Sequence, residues 1–322
     1  MDELREIAKV IKKNKNFFIT SHIRPDGDSI GSQLALKRIL ERLGKEVTIA
    51  NHDSVPEIYD FLPGIESIKQ ELLKDREFDV ALVLDSPEFS RLESTAEIVK
   101  KAKVIINIDH HLGNEEFGKY NYVDTEASAV GEEIYELTKV MGFKIDREIA
   151  LCLYVGILTD TGSFRQSNTT PRTHEIVADL MKIGDLKPAQ ITHQVYETQL
   201  PSAIKLLSMT LDTLERSEDG RIAWMTITDR MFKETGTTNT ETENFINYVR
   251  SVKGSEVAIL FTELTKDEVK VSFRSKSSVN VNRIAKTFGG GGHLRASACT
   301  IKGDLDEAKK KVLAEVEKQL ED

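Results

Sequence analysis

Phe17-Phe-Ile-Thr-Ser21, running into His22-Ile-Arg-Pro-Asp26-Gly-Asp28-Ser-Ile-Gly31, is the stretch on which the reading of this chain turns. An apolar, strand-like run stops at a histidine. Asp26 and Asp28 follow, and a helical pattern then runs from Gly31 to Leu43, with Gly44 as its cap. The same punctuation recurs twice. Val80-Ala-Leu-Val-Leu84 ends at Asp85, and Val104-Ile-Ile-Asn-Ile108 ends at Asp109-His110-His111. Strands that alternate with helices build a mostly parallel sheet. An open parallel sheet binds its ligands beyond the carboxyl ends of its strands. Strands ending in His and Asp therefore aim imidazoles and carboxylates at one crevice.

Those ligand types narrow the metal. The set contains no cysteine, which disfavours thiolate sites. Mixed oxygen and nitrogen ligation suits Mn2+, with Mg2+, Co2+ or Zn2+ behind it. Two ions fit better than one, because Asp26 and Asp28 can reach neighbouring ions and a central Asp85 can bridge them. Two-metal sites hold ions about 3.5–4 Å apart and clamp the attacking and leaving oxygens of phosphoryl transfer.

The rest of the chain extends the pattern. Residues 1–14 read as a helix, and Glu46–Ala50 and Asn121–Asp124 as further strands. From Ser128 the texture turns helical, over Ala129–Met141, Arg147–Leu158, Pro171–Ile183 and Pro188–Tyr196, interrupted by Thr159-Asp160-Thr161-Gly162. Pro201–Leu214 reads as a linker helix. Beyond it come a strand, Arg221–Thr228, and a hairpin of Glu256–Leu264 with Glu268–Arg274. A helix, Val279–Phe288, then leads into Gly289-Gly-Gly-Gly292-His293, a strand, Ala296–Ile301, and a closing amphipathic helix, Leu305–Leu320. Glu234–Asn244 is polar and reads as a loop or helix start. The expected architecture is α/β: a mostly parallel, helix-flanked sheet over 1–196, a linker over 197–215 and a smaller α+β domain over 216–322.

Composition bounds the function. A chain of 322 residues suggests about two domains. No apolar run nears the roughly 20 residues of a membrane span. The first residues read as an amphipathic helix rather than a signal peptide. Cys152 and Cys299 lie in apolar segments and are expected as buried free thiols, which fits a cytoplasmic protein. The net charge is −9 and no basic stripe is visible. Long nucleic acid is usually tracked by such a stripe, so a short anionic substrate fits and a long duplex does not. Other polar residues have plainer readings. His52 is expected in a surface loop, His174 and His193 in structural or exposed helical positions, and Trp224 in the core. Arg165 and Arg172 could touch substrate or simply pair with surface acids.

In this order and spacing, His22-x-x-x-Asp26-x-Asp28, Asp85, Asp109-His110-His111 and Thr159-Asp160-Thr161-Gly162 resemble the four N-terminal motifs of the DHH phosphoesterase superfamily. Gly289–His293 followed by Ala296-Ser-Ala298 resembles the associated C-terminal domain of its exonuclease-like branch. The two resemblances together span nearly the whole chain, which is most similar to the stand-alone short-oligonucleotide (nanoRNA) hydrolases. Some of those also remove the 3′-phosphate of adenosine 3′,5′-bisphosphate, and others cleave linear dinucleotides such as pApA made from cyclic di-AMP.

The resemblance implies roles. His22, Asp26 and Asp85 would hold one ion, and Asp28, Asp85, His110 and Asp160 the other. Asp109 would orient a histidine, and His111 would face the scissile phosphate as acid or charge stabiliser. In the C-terminal domain Arg274 can fork onto a phosphate. Gly289, Gly290, Gly291 and Gly292 let backbone N–H groups approach an anion, and His293 and Arg295 add positive charge. The substrate would lie in a cleft between the domains, and the protein would be a homodimer. Two other functions compete. Inorganic pyrophosphatases share the N-terminal motifs, but carry a Ser-Arg-Lys-Lys run that this chain lacks. A non-catalytic nucleotide-binding regulator is disfavoured by the complete ligand series.

Overall fold

Leu4, Ile7, Val10 and Ile11 recur at helical spacing, and they form the buried face of the first helix, α1 (Asp2–Lys13). The computed structural model describes residues 2–70, 76–242, 244–276 and 279–321. The chain divides into two compact units, Met1–Thr198 and Gln199–Asp322.

In the first unit the strands are β1 (Asn16–Thr20), β2 (Glu46–Ala50), β3 (Ile68–Lys69), β4 (Val80–Leu84), β5 (Val104–Asp109) and β6 (Tyr120–Val123). The helices after α1 are α2 (Gly27–Arg42), α3 (Ala96–Lys101), α4 (Val130–Val140), α5 (Arg147–Asp160), α6 (Pro171–Gly184) and α7 (Pro188–Tyr196). The strands lie in the order β3-β2-β1-β4-β5-β6, and every pairing is parallel. All five residues of β4 are buried. A continuous apolar run is what a central parallel strand needs when both sheet faces are covered. The order reverses between β1 and β4, the kind of switch point at which open sheets bind ligands.

The second unit carries its own sheet, in the order β11-β12-β10-β9-β8-β7. Its strands are β7 (Glu215–Arg216), β8 (Ile222–Ile227), β9 (Val257–Thr265), β10 (Glu268–Ser275), β11 (Gly291–His293) and β12 (Ala296–Lys302). The sheet is mixed, with β8 parallel to β9 and the other pairs antiparallel. The helices α8 (Pro201–Leu211), α9 (Asp229–Thr235), α10 (Ile246–Ser251), α11 (Val281–Thr287) and α12 (Leu305–Glu321) complete it. No helix among the described residues is long and apolar enough to cross a membrane.

The structure differs from the sequence reading at several boundaries. Helix α2 starts at Gly27, not Gly31, because the Asp26 side chain caps it by accepting from Ser29 N at 3.0 Å. Asp28 therefore sits in the first helical turn rather than in a loop. Helix α5 runs on through Asp160, and β5 includes Asp109. The short edge strand β3 is additional to the expected strands; two residues carry too little periodicity to read. The expected linker is no free connection, since α8 belongs to the second unit and its Leu206 is fully buried in a core with Met225 and Ile227. Within Glu234–Asn244, Thr235 ends α9 and Asn239–Thr242 forms a 3-10 turn. Cys152 and Cys299 are free and buried. Trp224 is only partly buried, with Nε1 donating to Glu215 Oε1 at 2.9 Å.

Two glycines set how closely α2 and α5 approach. A Cβ on Gly31 would lie 2.3 Å from the Cys152 carbonyl oxygen, and one on Gly156 would lie 2.6 Å from Asp28 Oδ1. These helices carry Asp28 and Asp160, so their spacing also spaces the two carboxylates. Gly31→Ala meets backbone and must push the helices apart. It should cost about 1–3 kcal/mol or somewhat more, read as a lower midpoint in urea unfolding, and should reduce activity in the fraction that folds.

Candidate metal centre

His22 follows β1, Asp85 follows β4, and Asp109-His110-His111 close β5, so the carboxyl ends of three adjacent strands meet at the switch point. His22 Nε2 lies 3.3 Å from Asp85 Oδ2 and 4.0 Å from Asp26 Oδ2. His110 Nε2 lies 3.6 Å from Asp85 Oδ1 and 3.6 Å from Asp160 Oδ2. Ligand atoms of His22, Asp26 and Asp85 fall within 4.8 Å of one another, as do those of Asp28, Asp85 and His110. Asp85 is common to both groups.

The surroundings orient these side chains. His22 Nδ1 lies 2.6 Å from the Ile23 carbonyl, and His110 Nδ1 lies 3.2 Å from the Ala127 carbonyl. A carbonyl only accepts, so in the neutral rings Nδ1 carries the proton and the Nε2 lone pair faces the carboxylates. His111 Nδ1 lies 2.7 Å from Asp109 Oδ1, and Asn114 donates to Asp109 Oδ2 at 2.6 Å. Asp28 is held by the amino end of α4, where Val130 N donates to Oδ2 at 2.6 Å and Gly131 N to Oδ1 at 2.9 Å. Those amides have no partner within their own helix, so an element over 100 residues away in sequence anchors the carboxylate.

The charge balance fits a cation. Burial pushes Asp160 up to about 6, reinforced by Asp26 and Asp85 and opposed by His110. Burial and the neighbouring Asp85 charge push Asp28 well above the carboxylate range, against the pull of His110. Burial would also raise Asp85, but the His110 and His22 imidazoles beside it hold it well below that range. Burial disfavours charged His22 and His110, yet Asp85 lifts both above the usual imidazole value, His110 strongly. Asp85 Oδ1 is buried with no hydrogen-bond partner among the described residues. Buried polar atoms are rarely left so, and a divalent ion would satisfy this one. Asp85 also sits at φ 56°, in the left-handed region. Such strain is characteristically held at functional sites.

Sequence reasoning misses several residues here. Ser29 donates to Asp85 Oδ2 at 2.7 Å and lies 3.0 Å from His22 Nε2; it stands inside the first motif, three residues past the cap Asp26. Asn114 lies in a loop with no periodic signal. Of the two arginines that the sequence offers as substrate contacts or partners of acids, Arg172 pairs with Asp124 at 2.6 Å and with fully buried Glu132 at 3.5 Å, and Arg165 Nε donates to the Gly162 carbonyl at 2.8 Å.

The second unit gathers its candidate residues at one end of its sheet. Arg274 pairs in register with Ala296, which pairs with His293, and Ser275 N donates to the Arg295 carbonyl at 3.0 Å. The glycine run is not the open loop expected, because Gly291 and Gly292 extend into β11. Cβ atoms on Gly290 and Gly292 would lie 2.2 Å from the Ala298 carbonyl and 2.6 Å from the Ala296 carbonyl. Those two glycines serve close packing on β12. Gly289 and Gly291 face open space within 4 Å.

A parallel sheet presenting His and Asp at its switch point, joined to a separate mixed-sheet unit, defines the protein class. The chain belongs to the DHH family and is a hydrolytic enzyme of it: the DHH family N-terminal domain matches residues 16–157, and the DHHA1 domain matches residues 221–322. The bifunctional oligoribonuclease and PAP phosphatase NrnA of Thermus thermophilus is 35% identical over 99% of this chain and 95% of its own. Its counterpart of the same name in Bacillus subtilis is 30% identical over 97% of each chain. The crystal structure of an exopolyphosphatase-related protein from Bacteroides fragilis is 29% identical, covers 99% of this chain and 96% of that one, and superposes with a TM-score of 0.88.

Proposed function

We propose that this enzyme hydrolyses the phosphodiester bonds of short oligoribonucleotides and linear dinucleotides such as pApA. Adenosine 3′,5′-bisphosphate is a further substrate in this reading. The observation that carries it is Asp85, one buried carboxylate common to two ligand groups with an oxygen that nothing else satisfies among the described residues. The names of the relatives support the substrate class. His22, Asp26 and Asp85 would hold one ion, and Asp28, Asp85, His110 and Asp160 a second. Mn2+ is the preferred ion, with Mg2+ or Co2+ as substitutes; bound there, such ions supply Lewis acidity and activate water.

The chain's own groups do the rest. Asp109, steadied by Asn114, fixes His111, which would hand a proton to the leaving oxygen. In the second unit Arg274, His293 and Arg295 recognise substrate phosphate, with Gly289 and Gly291 leaving room for it. Residues 1–196 form the catalytic domain and 216–322 the substrate domain, with 197–215 between them folding largely onto the second unit. The protein works in the cytoplasm as a homodimer. Leu200, Ile204 and Leu211 are exposed at helical spacing on and beside α8, and sedimentation equilibrium tests the dimer.

The deciding experiment incubates the purified protein and Mn2+ with pApA, a five-nucleotide RNA, a forty-nucleotide strand, adenosine bisphosphate and pyrophosphate. Products are resolved by chromatography. Preferential loss of pApA or the short RNA, abolished in the His110→Ala/His111→Ala variant, is the expected result. Loss of pyrophosphate alone, or binding of pApA without turnover, would overturn the proposal.

A further inference from the structure

We infer that Arg91, with Arg24 beside it, binds a second phosphate group of the substrate, the one flanking the scissile phosphate. The inference rests on the phosphodiesterase reading of the centre and adds a specificity element to it.

Arg91 lies in the 3-10 segment Phe89–Thr95. That segment is firmly seated. Leu92 and Thr95 are fully buried, Thr20 Oγ1 donates to Thr95 Oγ1 at 3.1 Å, and Thr95 Oγ1 donates to the Leu92 carbonyl at 2.8 Å. Its backbone is docked onto the loop that carries His22 and Asp26, since Ile23 N donates to the Arg91 carbonyl at 2.9 Å. Glu93 takes a left-handed φ of 46° within it, a strained turn for a non-glycine residue. A rigid, strained segment therefore holds Arg91 against the first metal-ligand group.

The guanidinium is in no ion pair among the described residues. Arg91 is half-buried, and among the described residues no carboxylate oxygen lies within 4.0 Å of it. Burial depresses its pKa, and the like charge of Arg24 depresses it further, while Asp85, Asp26 and Glu88 work in the other direction. Arg24 is exposed and left-handed, at φ 54°. Its backbone N donates to Asp53 Oδ2 at 2.7 Å, which fixes the turn and leaves the side chain to reach outward. Arg24 follows Ile23, whose N–H meets the Arg91 carbonyl, so two arginines, one half-buried and one exposed, share this corner of the site. Their planar forks match phosphate oxygens in pairs. Asp26 and Asp85 group with His22, and Glu88 acts on Arg91 only at longer range, so an anion from outside the chain can take the open place beside the guanidinium. A phosphate next to the one under attack has the right charge and position. Both pApA and adenosine 3′,5′-bisphosphate carry two phosphates, which makes this the chemical class that the pair would select.

The test compares two esters under Mn2+. pApA has a flanking phosphate, and bis(p-nitrophenyl) phosphate has none. Arg91→Ala should raise KM for pApA by about 10- to 100-fold, the range of a lost charge-assisted hydrogen bond. Its loss in kcat/KM on pApA should exceed the loss on the small diester by at least about tenfold. Arg24→Ala should show the same asymmetry more weakly, and Arg91→Lys should restore part of the pApA affinity. These milder variants carry the test if Arg91→Ala does not fold. Equal losses on both esters, or no loss on pApA, would overturn the inference. A wild-type protein that cleaves neither ester would overturn the phosphodiesterase reading instead. Calorimetric titration with inorganic phosphate, wild type against Arg91→Lys and Arg24→Ala, then judges the arginine pair by itself, weaker binding in the variants supporting it and equal binding refuting it.

Discussion

Asp85→Asn is expected to reduce hydrolysis of pApA by at least about a thousandfold while leaving the protein folded. A bound metal contributes several kcal/mol to the transition state, and about 4 kcal/mol corresponds to a factor of about 1000. Asp85 is common to both candidate ligand groups, so with two ions, as proposed, one substitution would weaken both together. Asparagine is the informative replacement. Its shape matches aspartate, and it tolerates the left-handed backbone found at this position. It also keeps an oxygen able to accept from Ser29, which donates to Asp85 Oδ2 at 2.7 Å. A steady-state assay beside a circular-dichroism melt checks both halves of the expectation. A folded variant retaining more than about a tenth of wild-type activity, where a factor of about 1000 is expected, would mean that Asp85 bridges nothing.

The second large effect concerns metal, pH and heat. Stripping metal with a chelator and then adding Mn2+ at about a hundred times its Kd should stabilise the protein by about 2.7 kcal/mol. At about 2–4 °C per kcal/mol for chains of this size, that is a rise in Tm of roughly 5–10 °C. The dependence on pH follows from the groups involved. Asp160 is raised to about 6 in the fold from an ordinary 3.8, by burial and then by Asp26 and Asp85, with His110 opposing. The folded state therefore holds this proton more tightly than the unfolded one. The resulting stability is complete below about pH 3.8 and is lost as pH rises through about 6. His22 and His110, raised by Asp85 despite burial, act in the same sense, from the ordinary 6.5 upward. Asp85, held low by His110 and His22 despite its burial, loses its contribution only well below pH 3.8. Between about pH 4 and 8 the metal-free protein should therefore become less stable as pH rises. Metal displaces these protons, so its binding strengthens with pH. The Tm gain from Mn2+ should be clearly larger at about pH 8 than at about pH 5.5. Calorimetric scans across this range, with and without chelator, check it. A gain independent of pH would count against ligation by these groups.

Much of the first unit can be read before folding is considered. Val80–Leu84 is apolar throughout because both of its faces are covered, and its end at Asp85 marks the sheet's ligand side. Phe17–Ser21 before His22 and Val104–Ile108 before Asp109, though not apolar throughout, end at the same side of the sheet. These are local signals, carried by a run of side chains and the residue that breaks it. The start of α2 escapes the sequence for an equally local reason. Asp26 reads as a ligand, yet it also caps the helix, and Pro25 and Gly27 beside it look like a loop. The edge strand β3 is too short to show any period.

The meeting of those residues is another matter. Nothing near Asp28 in the chain reveals that Val130 and Gly131 donate to it, and nothing near Asp85 reveals that Ser29 donates to it. The order β3-β2-β1-β4-β5-β6 places β1 beside β4 and so brings His22 to Asp85. Gly31 and Gly156 let α2 and α5 come close enough to carry Asp28 and Asp160 toward the same centre. In the second unit, Gly290 and Gly292 look like a phosphate loop in sequence and turn out to make room for β12. Residue type and local period state which side chain a position offers and on which face it lies. Which distant group it meets is decided by strand pairing and helix packing, whose energies come from contacts between segments far apart in the chain. The candidate ligands of this site are therefore legible one at a time, and the charge coupling that joins them arises only when the sheet is assembled.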